Sequence, residues 1–252
     1  MKKKIHAYPN KQKLLTATAE HMVGSIVQTI RNNGVCNVVL SGGSTPGGVF
    51  SLLASDSNRD QVDWGRIHIF WGDERMVPPE HNDSNFRMAR ETLLDHIKIS
   101  DKNVHRIRGE IAPELAAAEY VELLNDHFKG SLPCFDLVLL GLGEDGHTAS
   151  LFPETDAVEE SEKNVVAVFV PKLDTWRVTL TLAVINAARE VLFLVSGKSK
   201  SEIIQRIIST KQPVKELPAT MVNPQNGELH WMLDSDAMVL INKSGREVMF
   251  PF

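Results

Sequence analysis

Cysteines and long apolar runs are scarce in this chain of 252 residues, and no block of basic residues occurs beyond Lys2, Lys3 and Lys4. The two cysteines, Cys36 and Cys134, lie beside predicted buried strands, so we interpret them as small core residues in a reducing compartment. The lysines near the start are followed by His6 and polar residues rather than by an apolar run, so a secretory signal is not predicted. No stretch approaches the roughly 20 apolar residues of a membrane span. The expected location is cytoplasmic, without a membrane partner.

Positive charge is not in excess, because 27 Lys and Arg stand against 32 Asp and Glu and the net charge is −5. A nucleic-acid partner is therefore not expected. The sequence contains no G-x-S-x-G, H-E-x-x-H or paired-cysteine motif, and its glycine-rich turn at residues 41–46 matches neither G-x-x-x-x-G-K-[ST] nor G-x-G-x-x-G. We therefore expect no serine nucleophile, no metal, no nucleotide and no cofactor.

Apolar residues make up 42% of the chain, which is enough for a substantial core. Short apolar runs predict strands at residues 35–40, 67–71, 137–140, 165–170, 178–182, 191–195 and 229–233. Helical patterns separate most of these runs, which favours a largely parallel sheet with helices on both faces. The predicted fold class is α/β, a three-layer, doubly wound and Rossmann-like arrangement. With no linker or repeat, we expect one domain over residues 1–252.

The helix boundaries follow from capping residues. A long helix over residues 15–30 should end at Gly34, and only this helix is predicted before the first strand. Pro46 fits the first helical position, with Thr45 as its N-cap. A helix capped by Ser84 is predicted to extend to about residue 97. Further helices are predicted after Pro113, around residues 203–208 and after the acidic residues at 234–236.

Residues 135–153 are the most informative stretch. Four consecutive apolar residues, 137–140, predict a strand buried on both faces, and it ends at Gly141 and Gly143. Asp145 and His147 follow directly, at the end of a strand where open α/β folds bind ligands. His147 is the candidate general base, and the Asp145 carboxylate can orient its ring. A histidine in a loop is more often a structural residue than a base. Whether His147 is a base therefore depends on which residues follow the other strands of the predicted sheet.

Three further strand ends carry glycine with polar or charged residues. One is the turn Gly42, Gly43, Ser44 and Thr45, which leads into a helix and suits an anion, although an ordinary tight turn would look similar. The other candidates are Asp73 for a sugar hydroxyl, Arg75 for a phosphate, Lys198 or Lys200 as a point charge, and more weakly Arg177. Parallel strands would bring these ends to one edge of the sheet. The pattern predicts acid–base chemistry on a small phosphorylated molecule.

These motifs resemble the 6-phosphogluconolactonase family. The matching segments are residues 41–46, 71–75, 77–78, 83–85, 105–107, 109–110, 141–153, 177–181, 197, 200, 217–219, 231 and 233–234. They cover nearly the whole chain in order. The motif around His147 is highly specific, whereas the turn at 41–46 is shared more widely.

The resemblance implies a fold of the sugar-phosphate isomerase type and hydrolysis of 6-phospho-D-glucono-1,5-lactone to 6-phosphogluconate, in the oxidative pentose phosphate pathway. It implies that His147 activates a water and that Asp145 orients the imidazole. Arg75 and Lys200, with the turn at 42–45, would bind the phosphate. Asp73 would contact a sugar hydroxyl or assist the leaving ring oxygen.

Two alternatives are retained. The related glucosamine-6-phosphate deaminases have a glutamate five residues after the motif histidine, where this chain has Phe152, and a tyrosine where it has Arg75. A non-catalytic sugar-phosphate-binding module is the other alternative, although such regulators carry a DNA-binding segment ahead of the domain. The only expected partner is the phosphosugar lactone, and the expected assembly is a monomer or weak homodimer.

Overall fold

The computed structural model describes residues 3–243 and the side chains of residues 3–241. The strands in this range are β1 Lys4–Tyr8, β2 Cys36–Leu40, β3 Ile67–Trp71, β4 Asp73–Arg75, β5 Val104–His105, β6 Leu137–Leu140, β7 Val165–Val170, β8 Thr175–Leu180, β9 Glu190–Val195 and β10 Glu228–Asp234. The α-helices are α1 Lys11–Asn33, α2 Ser44–Leu53, α3 Asp56–Arg59, α4 Asn85–Thr92, α5 Pro113–Phe128, α6 Leu182–Asn186, α7 Ser201–Ser209 and α8 Val239–Lys243. Short 3-10 turns occupy Trp64–Arg66, Leu94–His96, Asp101–Asn103, Asp156–Val158, Pro171–Leu173, Lys198–Lys200 and Pro218–Met221.

Seven strands form one sheet in the order β1-β10-β9-β6-β2-β3-β5, and every neighbouring pair is parallel. All four residues of β6 are buried, as expected for a central strand covered on both faces. From β2 the chain winds outward through β3 to β5, and from β6 it winds the other way through β9 to β10. The neighbours β2 and β6 therefore flank the switch point where such sheets bind ligands. The predicted α/β fold with a mostly parallel sheet is confirmed.

The edge strand β1 was not predicted, so the expectation that only a helix precedes the first strand is wrong. This strand pairs in parallel with β10, from Lys4 opposite His230 to Tyr8 opposite Asp234. Only Ala7 within it is buried. An edge strand with so little buried surface lacks the apolar run by which the other strands were recognised.

A second, antiparallel sheet in the order β4-β8-β7 was also not foreseen. Only residues 171–174 separate β7 from β8, which is too short for the crossover that a parallel pair needs. The predicted strand 178–182 in fact runs over Thr175–Leu180, and α6 begins at Leu182. This sheet places Arg177 of β8 directly opposite Arg75 of β4.

Several helix boundaries differ from the predicted ones. The α1 helix ends as predicted, with Gly34 at φ 83°. The α2 helix begins at Ser44 with Gly43 as N-cap, so Thr45 lies inside the helix rather than capping it. Ser84 caps α4 as predicted, but that helix ends at Thr92 and is followed by a 3-10 turn.

Candidate functional site

A cavity of about 270 Å³ opens at the carboxyl edge of the parallel sheet, where β2, β3, β6 and β9 end. Nine predicted site residues line it, namely Gly42, Gly43, Ser44, Thr45, Asp73, Arg75, His147, Arg177 and Lys200. Asp145 lies behind His147, in contact with its ring. The structure therefore brings together all the predicted site residues, from segments more than a hundred residues apart.

The imidazole of His147 is held by a carboxylate. Its Nδ1 lies 2.5 Å from Oδ1 of Asp145, and the same oxygen accepts the backbone N–H of His147 at 3.3 Å. The hydrogen bond from His147 holds the pKa of the Asp145 carboxyl well below its usual range. Lys172 donates to the other oxygen, Oδ2, at 3.1 Å. Because Nδ1 is engaged by Asp145, Nε2 is the ring nitrogen available for proton transfer.

Two further residues fix the ring of His147. The ring of Phe152 stacks against it with centroids 3.9 Å apart. Gly143 passes so close that an added Cβ would lie 2.0 Å from His147 Nδ1 and 2.7 Å from Asp145 Oδ1. Residue 143 must therefore be glycine, because any side chain there would displace the His147–Asp145 pair.

Replacing Gly143 with alanine should thus disable the site while leaving the fold intact. We expect catalytic activity to fall by at least about tenfold, since small misplacements of catalytic groups are costly. The matched control is Gly24→Ala in α1, where nothing lies within 4 Å of an added Cβ. That variant should keep full activity and gain roughly 0.5–1 kcal/mol of stability. Equal activity in the two purified variants would contradict this account of Gly143.

Arg75 and Arg177 form a like-charge pair across β4 and β8. Such pairs are destabilising in the absence of a counter-ion. Burial, and after it the charge of Arg75, lowers the pKa of Arg177. The Nε atoms of both arginines are buried and find no hydrogen-bond partner within residues 3–241. Two guanidinium groups with unused donors on one cavity wall provide a binding site for an anion such as phosphate.

Further donors line the same cavity. Gly43, at φ 104°, leads into the first turn of α2, and as N-cap it has no side chain to cover the helix amides. Gly42 is needed for close packing, because a Cβ there would lie 1.9 Å from Oδ1 of Asn85. Lys200 lines the cavity, with its Nζ 3.9 Å from Oε1 of Glu144. The first residues of α2 and the Lys200 side chain thus line the same cavity as the two arginines.

The structure separates the two candidate lysines, because Lys200 lines the cavity and Lys198 is not among its lining residues. Lys200→Met should therefore raise KM for a phosphorylated substrate by roughly tenfold or more, since a hydrogen bond to a charged group contributes about 1.5–3 kcal/mol. Lys198→Met, two residues away in the same 3-10 turn, is the matched control and should have nearly normal kinetics. If steady-state kinetics gave the reverse pattern, the cavity would not be the phosphate site.

Two residues that build this site, Glu74 and Asp234, were not predicted to contribute to it. The buried carboxylate of Glu74 accepts the backbone N–H groups of Arg75, Asn85 and Phe86, each at 2.8 Å, and thereby anchors the start of α4. Asp234 accepts the N–H of Gly197 at 3.0 Å and so fixes the turn before Lys200. Neither contact could be read from spacing, because the partners are 11 and 37 residues apart.

Asp73 was predicted to act on the substrate, and it does line the cavity. Both carboxylate oxygens already accept hydrogen bonds, Oδ2 from the Ser150 hydroxyl at 2.6 Å and Oδ1 from the Asn85 amide at 3.4 Å. The side chain is only 6% exposed. Asp73, the first residue of β4, therefore links the loop after β6 to the start of α4 through these contacts.

Fold and site together define an α/β protein with a cavity lined by two arginines and a lysine, and with a carboxylate-supported histidine, at the switch point of its sheet. The family model described as glucosamine-6-phosphate isomerases/6-phosphogluconolactonase matches residues 9–231. The chain therefore belongs to this family.

Named relatives agree with this assignment. A 6-phosphogluconolactonase of Synechocystis sp. is 40% identical over 232 residues, which is 90% of this chain and 94% of the relative. A 6-phosphogluconolactonase of Haemophilus influenzae is 36% identical over 228 residues, which is 89% of this chain and 97% of the relative. The structure of 6-phosphogluconolactonase from Trypanosoma brucei matches with a TM-score of 0.82 and 30% identity, covering 95% of this chain and 99% of that one.

Proposed function

We propose that this protein is an enzyme that hydrolyses 6-phospho-D-glucono-1,5-lactone to 6-phosphogluconate. The observation that carries the proposal is the shared cavity, in which the His147 imidazole faces the same space as the charges of Arg75, Arg177 and Lys200. The names of the relatives support the same reaction, the second step of the oxidative pentose phosphate pathway.

The proposed chemistry needs one positioned base. Nε2 of His147 takes a proton from a water, whose oxygen attacks the lactone carbonyl carbon and forms a tetrahedral intermediate. When the bond between that carbon and the ring oxygen breaks, the imidazolium returns its proton to the ring oxygen, and the open-chain acid is released. Asp145 stabilises the imidazolium through the 2.5 Å contact at Nδ1. General base catalysis of this kind contributes roughly 10²–10⁴-fold.

The phosphate would bind between Arg75 and Arg177 on one side and Lys200 and the first amides of α2 on the other. Its negative charge offsets the repulsion between the two guanidinium groups and engages their unused Nε–H donors. Fixing the phosphate holds the carbonyl carbon near His147, which replaces an encounter in solution by a positioned reaction. Asp73 is proposed to position Ser150 and Asn85 beside the cavity through the hydrogen bonds that its carboxylate accepts from them.

Deamination of glucosamine 6-phosphate is not supported by the surroundings of His147. By the family resemblance, a deaminase would have a carboxylate at residue 152 to tune this histidine. Here the Phe152 ring stacks flat against the imidazole and is 5% exposed. An apolar ring supplies no proton and no charge for opening an amino sugar.

We also propose that the chain is a single domain, in which α5 packs against β7 and β8 and so joins the second sheet to the rest. Residues 1–2 and 244–252 of the range 1–252 lie outside the described residues. A monomer or weak homodimer located in the cytoplasm remains the proposed state. Among the helices that the structure describes, none is long and apolar enough to cross a membrane.

A direct assay tests the proposed reaction. The lactone is generated in place, and its hydrolysis is followed by coupling the product to the next dehydrogenase, with the spontaneous rate subtracted. The wild-type chain should accelerate hydrolysis well above that rate, whereas glucosamine 6-phosphate should release no ammonia. Ammonia release together with spontaneous-rate lactone hydrolysis would overturn the proposal.

A further inference from the structure

A second group of titratable side chains lies at the opposite edge of the sheet from the cavity. His21 of α1, Glu190 at the start of β9 and His230 of β10 each offer one ligand atom, and these atoms all lie within 4.8 Å of one another. Oε1 of Glu190 is 2.5 Å from Nε2 of His21 and 3.6 Å from Nε2 of His230. We call this group the His21–Glu190–His230 cluster. The proposed reaction uses none of it.

We propose that the His21–Glu190–His230 cluster is a binding site for a divalent transition-metal ion of the Zn²⁺ class. Two imidazoles and one carboxylate are a ligand set that Zn²⁺ accepts, with water completing the coordination. The Glu190 charge partly offsets that of the ion. The side chains of His21 and Glu190 are 27% and 15% exposed, which gives an ion access from solvent, while His230 is 4% exposed and fixed in place.

The surroundings of His230 suit a metal ligand. To bind through Nε2, this ring must carry its proton on Nδ1, and Nε2 of His6 lies 2.9 Å from that nitrogen as an acceptor. Metal-ligating histidines usually donate their other N–H to such a partner, which orients the ring. Glu228 adds a second carboxylate, with Oε2 3.0 Å from His230 Nε2, while its Oε1 pairs with Lys4 at 2.7 Å.

Another histidine group, His68, His105 and His127, is a weaker candidate. It offers three neutral ligands and no negative charge to offset that of a metal ion. One of its ring nitrogens also has a partner outside the group, since His127 Nε2 lies 2.8 Å from Oδ1 of Asn37. This group therefore serves as an internal comparison for the experiment.

A bound ion would tie α1, β9 and β10 together and, through His6, hold the edge strand β1. Binding to the folded state alone raises the melting temperature by mass action. At a free Zn²⁺ concentration of about 100 times Kd, a chain of this size should gain roughly 5–10 °C. Because the cluster lies at the far edge of the sheet, lactone hydrolysis at a temperature well below Tm should stay unchanged.

The test uses the full chain after EDTA treatment, titrated with Zn²⁺ alone by calorimetry and by metal analysis after dialysis. We expect one ion per chain in the wild type and a loss of affinity above about 100-fold in His21→Gln and Glu190→Gln, more than a change at a supporting residue costs. His127→Gln and His147→Gln, in the other histidine group and in the cavity, should keep the ion. Retention in both cluster variants, or failure of the wild type to bind, would overturn the proposal.

If both cluster variants fail to fold, X-ray absorption spectroscopy of the zinc-loaded wild type identifies the ligands of the bound ion instead. Two imidazole ligands with oxygen completing the shell are expected. Three imidazoles would place the ion at His68, His105 and His127, and a single imidazole would place it in the cavity. Either of these results would refute the site.

Discussion

Replacing His147 with glutamine should lower kcat for the phosphorylated lactone by about 10²–10⁴-fold and leave KM nearly unchanged. Glutamine fills much of the same volume and retains hydrogen-bonding groups, but it cannot take a proton from water at neutral pH. The substitution leaves Arg75, Arg177 and Lys200, the residues proposed to bind the phosphate, unchanged, so substrate should still bind. The measurement is steady-state hydrolysis with the spontaneous rate subtracted.

The matched control for this prediction is His96→Gln. His96 lies in the 3-10 turn after α4, where its Nε2 meets the backbone oxygen of Glu91 at 2.9 Å, and it does not line the cavity. This variant should have wild-type kinetics. Near-normal turnover in His147→Gln would remove the imidazole as the base, whereas a large rise in KM with normal kcat would make it a binding residue.

The location of the site could be predicted because its signals are local. Each strand end that carries glycine and charge is contiguous in sequence, and parallel strands necessarily bring such ends to one edge. The residues from Gly42 to Thr45, Arg75, His147 and Lys200 were found in this way and line one cavity. The resemblance favoured Lys200 and left Lys198 as an alternative; in the structure Lys200 lines the cavity, and Lys198 is not among the lining residues.

What could not be predicted depends on contacts between distant segments. Nothing in the sequence pairs Arg75 with Arg177, since their facing positions exist only once β4 and β8 align. The edge strand β1 gave no signal because only one of its five residues is buried. Glu74 looked like a loop residue, yet burial raises the pKa of its carboxyl while three backbone N–H groups oppose that shift. A buried carboxylate of this kind can be recognised only once the structure shows the N–H groups that donate to it.

Replacing Arg75 with methionine should weaken use of the phosphorylated lactone and spare the same lactone without phosphate. Methionine keeps apolar bulk but removes the charge and the donors, and losing one partner of a desolvated charge pair costs about 2–5 kcal/mol, or roughly 30-fold or more in kcat/KM. The comparison of the two substrates isolates the phosphate, because the carbonyl and His147 are common to both. Arg87→Met, an arginine of α4 paired with Glu91, is the control and should affect neither substrate.

The same variant makes a second, independent prediction about stability. In the free protein Arg75 faces Arg177 across two strands, so its removal relieves a like-charge contact and should leave Tm unchanged or slightly higher. Inorganic phosphate should raise Tm of the wild type by mass action and do so much less in Arg75→Met. Equal losses on both lactones, or equal stabilisation of both proteins by phosphate, would show that the arginine pair does not hold the anion. The charge repulsion between β4 and β8 would then have no functional explanation.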